Sequence, residues 1–193
     1  MRILLIQGHP DGAGHHLCHA LEMAYKRGAT GAGHEVRQIN VGQLDFPFLR
    51  SQQDWEYSAT PEALLPAQQD IKWAKHVVLF FPLWLGDMPA LLKAFLEQIA
   101  RPGYAFYKDD GNPFANKGLT GRSARVVVTM GMPAVVYRWY FRAHSVKSLE
   151  RNILGFVGFG PVNETLIGMA GNLKKSDAEK WLKKLEKLGA NAE

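Results

Sequence analysis

Three loops of this chain combine residue types that could bind a ligand. Residues 8–16 bring glycines and histidines together, residues 81–89 place a tryptophan between two prolines, and residues 129–133 read Thr-Met-Gly-Met-Pro. Glycine lets backbone amides approach a ligand, histidine titrates near neutral pH, and tryptophan offers a flat apolar surface. Such loops are suited to binding an anion and a planar ring.

Each loop directly follows an apolar run that predicts a buried parallel strand. The runs are residues 3–6, 77–81 and 126–128. In an open α/β sheet, the loops that leave the carboxyl ends of the strands form the ligand crevice, at the point where the strand order reverses. The shared position of the three loops therefore predicts one site.

The first loop matches neither standard nucleotide-binding fingerprint. Its glycines are Gly8, Gly12 and Gly14, which is not the G-x-G-x-x-G spacing, and no Gly-Lys-Ser/Thr follows them. A glycine-rich turn that leads into a helix N-terminus presents free amide donors, which favour an anion such as the single phosphate of FMN. The alternative is a tight turn without a ligand.

The second loop is stiffened by Pro82 and Pro89 and exposes Trp84 between Leu83 and Leu85. A planar ring ligand can stack on an aromatic side chain in this position. The alternative is that Trp84 anchors the core or an interface.

Strands and helices alternate along the chain without repeats or a linker. Hydrophobic periodicity predicts strands near residues 2–7, 35–41, 76–81, 124–129 and 162–167. It predicts helices near residues 16–30, 89–99 and 145–154, one beginning at Thr60-Pro61-Glu62, and one from a Ser176-x-x-Glu179 capping box to Gly189. The pattern predicts one α/β domain over residues 1–193, with a parallel sheet covered by helices on both faces.

Composition narrows the setting and the partners. The chain of 193 residues has a net charge of +5, one cysteine (Cys18) and no apolar run long enough to span a bilayer. With no signal-peptide pattern at residue 1 onward, we expect a reducing, cytoplasmic environment. Much of the excess positive charge lies on the terminal helix, opposite an apolar face, so we expect a solvated surface and no binding of nucleic acid.

The order and spacing of these motifs resemble those of the flavodoxin-like NAD(P)H:quinone dehydrogenases, the family that includes DT-diaphorase and the ancillary oxidoreductases of potassium efflux systems. The matching segments are residues 2–11, residues 81–93, Thr129-Met130-Gly131 and residues 149–159. The resemblance implies a flavodoxin-like three-layer sandwich with a five-stranded parallel sheet in the order 2-1-3-4-5. It also implies an FMN or FAD cofactor and a homodimer that transfers two electrons from NAD(P)H to a quinone by a ping-pong mechanism.

The same resemblance assigns residues to the cofactor site. It places His9 near the flavin phosphates, the loop after the third strand along the edge of the isoalloxazine ring, and the loop after the fourth strand on the other side of that ring. The implied cofactor-binding residues are His9, His16, Leu17, Cys18, Pro82, Leu83, Trp84, Leu85, Thr129, Met130 and Gly131.

Tyr137 and His144 resemble a Tyr/His pair that lies near the flavin and the substrate in the family, which implies that they are the catalytic donors. The chain departs from the pattern at Gly14-His15-His16, where relatives often carry Ser or Thr, and at Phe106, where they often carry a tyrosine.

Two other functional classes stay open at this stage. One is a flavin-binding regulatory or electron-transfer subunit without NAD(P)H turnover, and the other is a scaffold without a cofactor. His15 and His19 have an i, i+4 spacing that could hold zinc, but no acid or cysteine is placed to complete the site, so we expect no metal.

Overall fold

Five parallel strands form one sheet in the computed structural model, which describes residues 1–107 and 116–193. The strands are β1 (Arg2–Gln7), β2 (Glu35–Asn40), β3 (His76–Pro82), β4 (Arg122–Thr129) and β5 (Phe159–Ile167). Their order is β2-β1-β3-β4-β5, and every neighbouring pair is parallel. The predicted flavodoxin-like sheet order 2-1-3-4-5 is confirmed.

The helices connect these strands. They are α1 (Leu17–Gly31), α2 (Gln52–Tyr57), α3 (Leu65–Trp73), α4 (Ala90–Ile99), α5 (Ala134–Trp139), α6 (His144–Ser148), α7 (Gly155–Val157) and α8 (Lys175–Asn191). A π-helical turn (Leu149–Leu154) joins α6 to α7, and short 3₁₀ segments precede α3 and α8.

Alternate residues of the inner strands face two separate apolar layers. Ile3 and Leu5 of β1 pack with residues of α1 and α8. Leu4 and Ile6 face the other side, where they pack with residues of α3, α4 and the segment that follows α5. A strand covered on both faces is apolar throughout its length, which is why β1, β3 and β4 were readable as continuous apolar runs.

The layer formed by α1 and α8 depends on two glycines. A Cβ atom at Gly28 would collide with the backbone of Glu186, and one at Gly189 would collide with the backbone of Tyr25. The two helix backbones are therefore in direct contact.

Several predicted helix boundaries were wrong. The capping box at Ser176 does not form, because α8 begins at Lys175 and its N-cap residue Lys174 makes no side-chain cap. Gly189 does not end α8, which continues to Asn191. A glycine stands at this position because the backbone of α1 lies too close for a Cβ atom. Thr60 caps no helix either: its hydroxyl accepts a hydrogen bond from Gln68 of α3 at 3.1 Å.

Candidate functional site

The three predicted loops meet at the carboxyl edge of the sheet. The rings of His9 and Trp84 lie 5.8 Å apart and join the loops after β1 and β3. The Leu83 amide donates to the Thr129 carbonyl at 2.7 Å, which joins the loops after β3 and β4. Because β1 and β3 are neighbours whose chain connections run in opposite directions, this edge is the switch point of the sheet.

The N-terminus of α1 presents free backbone donors at this edge. His16 is the N-cap residue and its side chain makes no cap, and the first turn contains no acidic residue. Within residues 1–107 and 116–193, the amides of His16, Leu17 and Cys18 have no hydrogen-bond acceptor. Three free N–H groups at the positive end of a helix dipole are suited to an anion.

Three histidine rings, those of His9, His16 and His19, lie close together at this end of α1. His9 and His16 are stacked, with centroids 3.9 Å apart and planes inclined by 14°. His9 Nδ1 accepts from the Asp11 amide at 3.1 Å, and His16 Nε2 lies 2.9 Å from Asp11 Oδ2. Burial lowers the pKa of His9, and the neighbouring His16 and His19 lower it further.

A buried polar network that the sequence analysis missed supports His9. The Gln7 side chain accepts from the His9 amide at 3.2 Å and donates to Glu22 at 2.9 Å. Glu22 accepts from Gln38 through its other oxygen at 2.9 Å. A polar Gln7 at the end of the apolar run of β1 was the available sequence signal, because a buried amide needs a partner.

Cys18 joins the first loop to the third. Its Sγ lies 3.1 Å from Thr129 Oγ1, and burial raises the pKa of the thiol to about 11. The side chain is therefore a protonated thiol at neutral pH, and only the backbone of Cys18 is suited to an anion.

The second loop is a tight hairpin that carries Trp84 at its base. Trp84 and Asp87 exchange two backbone hydrogen bonds of 2.9 Å, and Leu85 and Gly86 between them have φ values of 48° and 84°. Positive φ at both central residues is the geometry of a type I′ turn. Trp84 is 49% exposed and Leu85 is fully exposed.

Hydrogen bonds within and next to this hairpin restrict which amides of the loop can donate to a ligand. Pro82 has no N–H, and the amides of Leu83 and Trp84 already donate to Thr129 and Asp87. In the described part of the chain, the amides of Leu85 and Gly86 have no acceptor, so they are the donors available to a ligand. Gly86 was missing from the predicted set because the turn type depends on backbone angles.

The third loop contributes mainly support. Thr129 is buried, and Met130 lies in the core with its amide donating to Ile167 and its carbonyl accepting from Ala170, both at 2.9 Å. Gly131 is exposed, and a Cβ atom there would meet nothing within 4 Å. Of the three predicted residues, only Gly131 has an open approach.

Tyr137 and His144 have different environments. Tyr137 is fully buried; its hydroxyl lies 2.6 Å from Ser145 Oγ and accepts from the Val146 amide at 3.2 Å. The hydroxyl is therefore enclosed and already has partners, and the role of Tyr137 as a catalytic donor stays a prediction. His144 is exposed at the start of α6, and its Nδ1 is bonded to the Phe141 carbonyl at 2.9 Å.

A basic groove of about 390 Å³ borders His144. Arg142, Lys147 and Arg151 line it together with His144, and none of its lining residues is acidic. Arg138 does not contribute a free charge there, because it pairs with Glu164 at 2.5 Å.

The donor set of this edge fits a flavin mononucleotide. The free amides of α1 suit one phosphate, and the exposed Trp84 and the hairpin amides suit a flat ring with polar atoms at its edge. Among the described residues, no group of three or more His, Cys, Asp or Glu side chains converges as metal ligands do, and no helix is long and apolar enough to cross a membrane.

This chain is similar to known proteins in sequence and fold. Residues 1–189 match the family described as flavodoxin-like fold. An FMN-dependent NADH:quinone oxidoreductase of Nitratidesulfovibrio vulgaris is 29% identical over 187 residues, which cover 86% of this chain and 85% of the relative. The ribosyldihydronicotinamide dehydrogenase-like protein traD of Penicillium crustosum is 28% identical over 156 residues, which cover 68% of this chain and 58% of the relative's length.

A solved NAD(P)H:quinone oxidoreductase from Methanothermobacter marburgensis has the same fold, with a TM-score of 0.82, 22% identity and coverage of 100% of this chain and 96% of that chain. The fold, together with the loops at the carboxyl edge of the sheet, defines a flavodoxin-like α/β protein. The chain belongs to the flavodoxin-like fold family, and the predicted resemblance to NAD(P)H:quinone dehydrogenase-like enzymes is confirmed.

Proposed function

We propose that this protein is an FMN-dependent oxidoreductase that transfers two electrons from NAD(P)H to a quinone or a similar acceptor. The observation that carries the proposal is the meeting of free α1 amides with the exposed Trp84 hairpin at the switch point of the sheet. The Nitratidesulfovibrio relative, described as FMN-dependent, supports FMN as the cofactor.

The first and second loops have distinct tasks in this proposal. The amides of His16, Leu17 and Cys18 hold the phosphate, and Trp84 packs against the flavin ring. The amides of Leu85 and Gly86 donate to polar atoms of the ring, where they stabilise negative charge. Bound FMN supplies the capacity to accept and donate an electron pair, which no side chain of the protein has.

The surroundings of His144 are suited to binding the nucleotide and moving a proton. The basic groove attracts the phosphates of NAD(P)H, and the exposed His144 ring lies in its lining, where it is open to solvent. Tyr137 acts on His144 indirectly: its carbonyl accepts from the Ala143 amide at 3.0 Å and thereby holds the turn before α6.

The test uses the purified protein under anaerobic conditions. We expect a yellow protein that releases FMN on heating, loses its flavin absorbance when NADH or NADPH is added, and regains it when a quinone is added. If donor and acceptor enter the same crevice in turn, initial rates should give the parallel double-reciprocal lines of a ping-pong mechanism. A flavin that stays oxidised in NADH and NADPH would contradict the enzyme and favour a regulatory or electron-transfer subunit.

We also propose a homodimer. The α5 region exposes Val135, Val136, Trp139 and Tyr140, a concentration of large apolar side chains that is typical of an interface. Light scattering at micromolar concentration should give twice the mass of one chain, and Trp139→Ser with Tyr140→Ser should reduce it toward the mass of one chain. A fully active wild-type monomer would contradict a site shared between two subunits.

A further inference from the structure

His19 is the unexplained side chain of the site. Both of its ring nitrogens are buried, and neither has a hydrogen-bond partner in the described part of the chain. Buried polar atoms without partners are rare in folded proteins, and they often indicate a ligand, an ion or a water molecule that completes the site. His19 lies in the first turn of α1, next to the free amides.

The groups that face His19 do not supply an acceptor. Its ring lies 5.4 Å from the ring of His9 and 5.7 Å from that of His16, both measured between centroids. Glu22, Asp11 and His15 also act on its ring electrostatically, and Glu22 lies three residues further along α1. Both oxygens of Glu22 are already bonded, to Gln7 and Gln38, and Asp11 is paired with His16.

An anion on the free amides of α1 would provide the missing acceptor. We propose that His19 binds the phosphate of FMN as a protonated imidazole, so that FMN binding takes up a proton from solvent. The proposal rests on the proposed function, because it assigns a role to His19 within the same cofactor site. If His19 has this role, the affinity of the protein for FMN depends on pH.

The direction of the pH dependence follows from the environment. Burial lowers the pKa of His19 in the flavin-free protein, and His16 and His15 lower it further, although Glu22 and Asp11 oppose this. A phosphate dianion beside the ring raises the pKa in the complex. The contribution of His19 to binding is therefore complete below the pKa of the free ring, and it is lost as the pH rises through the pKa of the complex.

The experiment compares FMN with riboflavin, which lacks the phosphate. Binding to the flavin-free full chain is measured from flavin fluorescence between pH 6 and pH 8.5, for wild type, His19→Gln and the control His34→Gln. Glutamine keeps a donor but does not titrate. His34 is a matched control because it lies before β2, at the other end of the sheet, where its ring contacts Met1 and Ala190.

We expect FMN to bind wild type about tenfold more tightly than His19→Gln at pH 6, as for one charge-assisted hydrogen bond, and equally at pH 8.5. Riboflavin should bind both proteins equally at every pH, and His34→Gln should match wild type. Calorimetry in buffers of different ionisation enthalpy should show that wild type takes up more protons with FMN than His19→Gln does.

Two negative outcomes are distinguishable. Equal FMN affinity and equal proton uptake in wild type and His19→Gln at all pH values would overturn the role of His19 and leave the FMN site in place. If the wild-type protein bound neither FMN nor riboflavin, the proposed function would be overturned and this inference with it.

Discussion

At the scale of single residues, Trp84 should matter for the ligand and little for the fold. Because its ring is 49% exposed, Trp84→Ala removes a stacking surface without opening a cavity in the core. We expect FMN to bind about 2- to 10-fold more weakly, as for the loss of one aromatic stacking contact. Trp181→Ala is the control, because Trp181 packs against the α1/α8 layer. Trp181→Ala should lower the melting temperature and leave the affinity for FMN unchanged. If Trp84→Ala bound FMN as tightly as wild type, Trp84 would not be part of the site.

Substitutions at Tyr137 and His144 should affect different properties: we expect the first to lower stability and the second to lower the rate of turnover. Tyr137→Phe leaves the Val146 amide and the Ser145 hydroxyl without their buried partner, so we expect a loss of about 1–3 kcal/mol in the free energy of unfolding. His144→Gln should leave stability unchanged and slow acceptor reduction about tenfold, since water can partly replace an exposed proton donor. Urea unfolding and stopped-flow absorbance measure the two effects. A slow but fully stable Tyr137→Phe would contradict a structural role for Tyr137.

At the scale of elements, the contact between α1 and α8 should be the part of the fold least tolerant of an added methyl group. Gly28→Ala forces the helix backbones apart, and we expect a loss of about 2–3 kcal/mol in the free energy of unfolding. Gly31→Ala lies in the same helix and meets nothing within 4 Å, so it should be neutral or stabilise the helix by up to about 0.5 kcal/mol. Equal stability of the two variants in urea would contradict direct backbone contact.

At the scale of the whole molecule, we expect acid to destabilise the protein by protonating a buried histidine. This residue lies at the end of the sheet opposite the candidate site. His76 begins β3, is 1% exposed, and bonds to Ser123 Oγ through Nδ1 at 2.8 Å. Burial, with a smaller effect of Arg125, lowers the pKa of His76 to about 4. The unfolded chain therefore binds a proton more readily, and stability falls as the pH drops from about 6.5 toward 4, by about 3 kcal/mol in total.

His76→Gln should reduce the fall in the free energy of unfolding between pH 6.5 and pH 4, even if the substitution lowers stability at pH 7. His34→Gln should retain the slope of wild type. Urea unfolding at half-unit pH steps measures both slopes, and an unchanged slope in His76→Gln would exclude His76 as its source.

Much of the fold was predictable because both sides of the sheet are covered. That covering makes β1, β3 and β4 apolar throughout, and it leaves the ligand loops as visible interruptions of glycine, proline and histidine. Helix ends were less predictable, as Ser176 and Gly189 show. A cap depends on a few local angles, and the reason for Gly189 lies in another helix.

The sequence by itself determined the α/β class, the alternation of elements and the three loops that share one edge, because these follow from local apolar periodicity and from residue types. The tertiary structure decided which groups in those loops are free. It paired the Leu83 and Trp84 amides and enclosed the Tyr137 hydroxyl. Within residues 1–107 and 116–193, it left the amides of Leu85 and Gly86 and the two buried ring nitrogens of His19 without a partner. Burial and hydrogen-bond satisfaction depend on residues distant in the chain, and no local pattern contains that information.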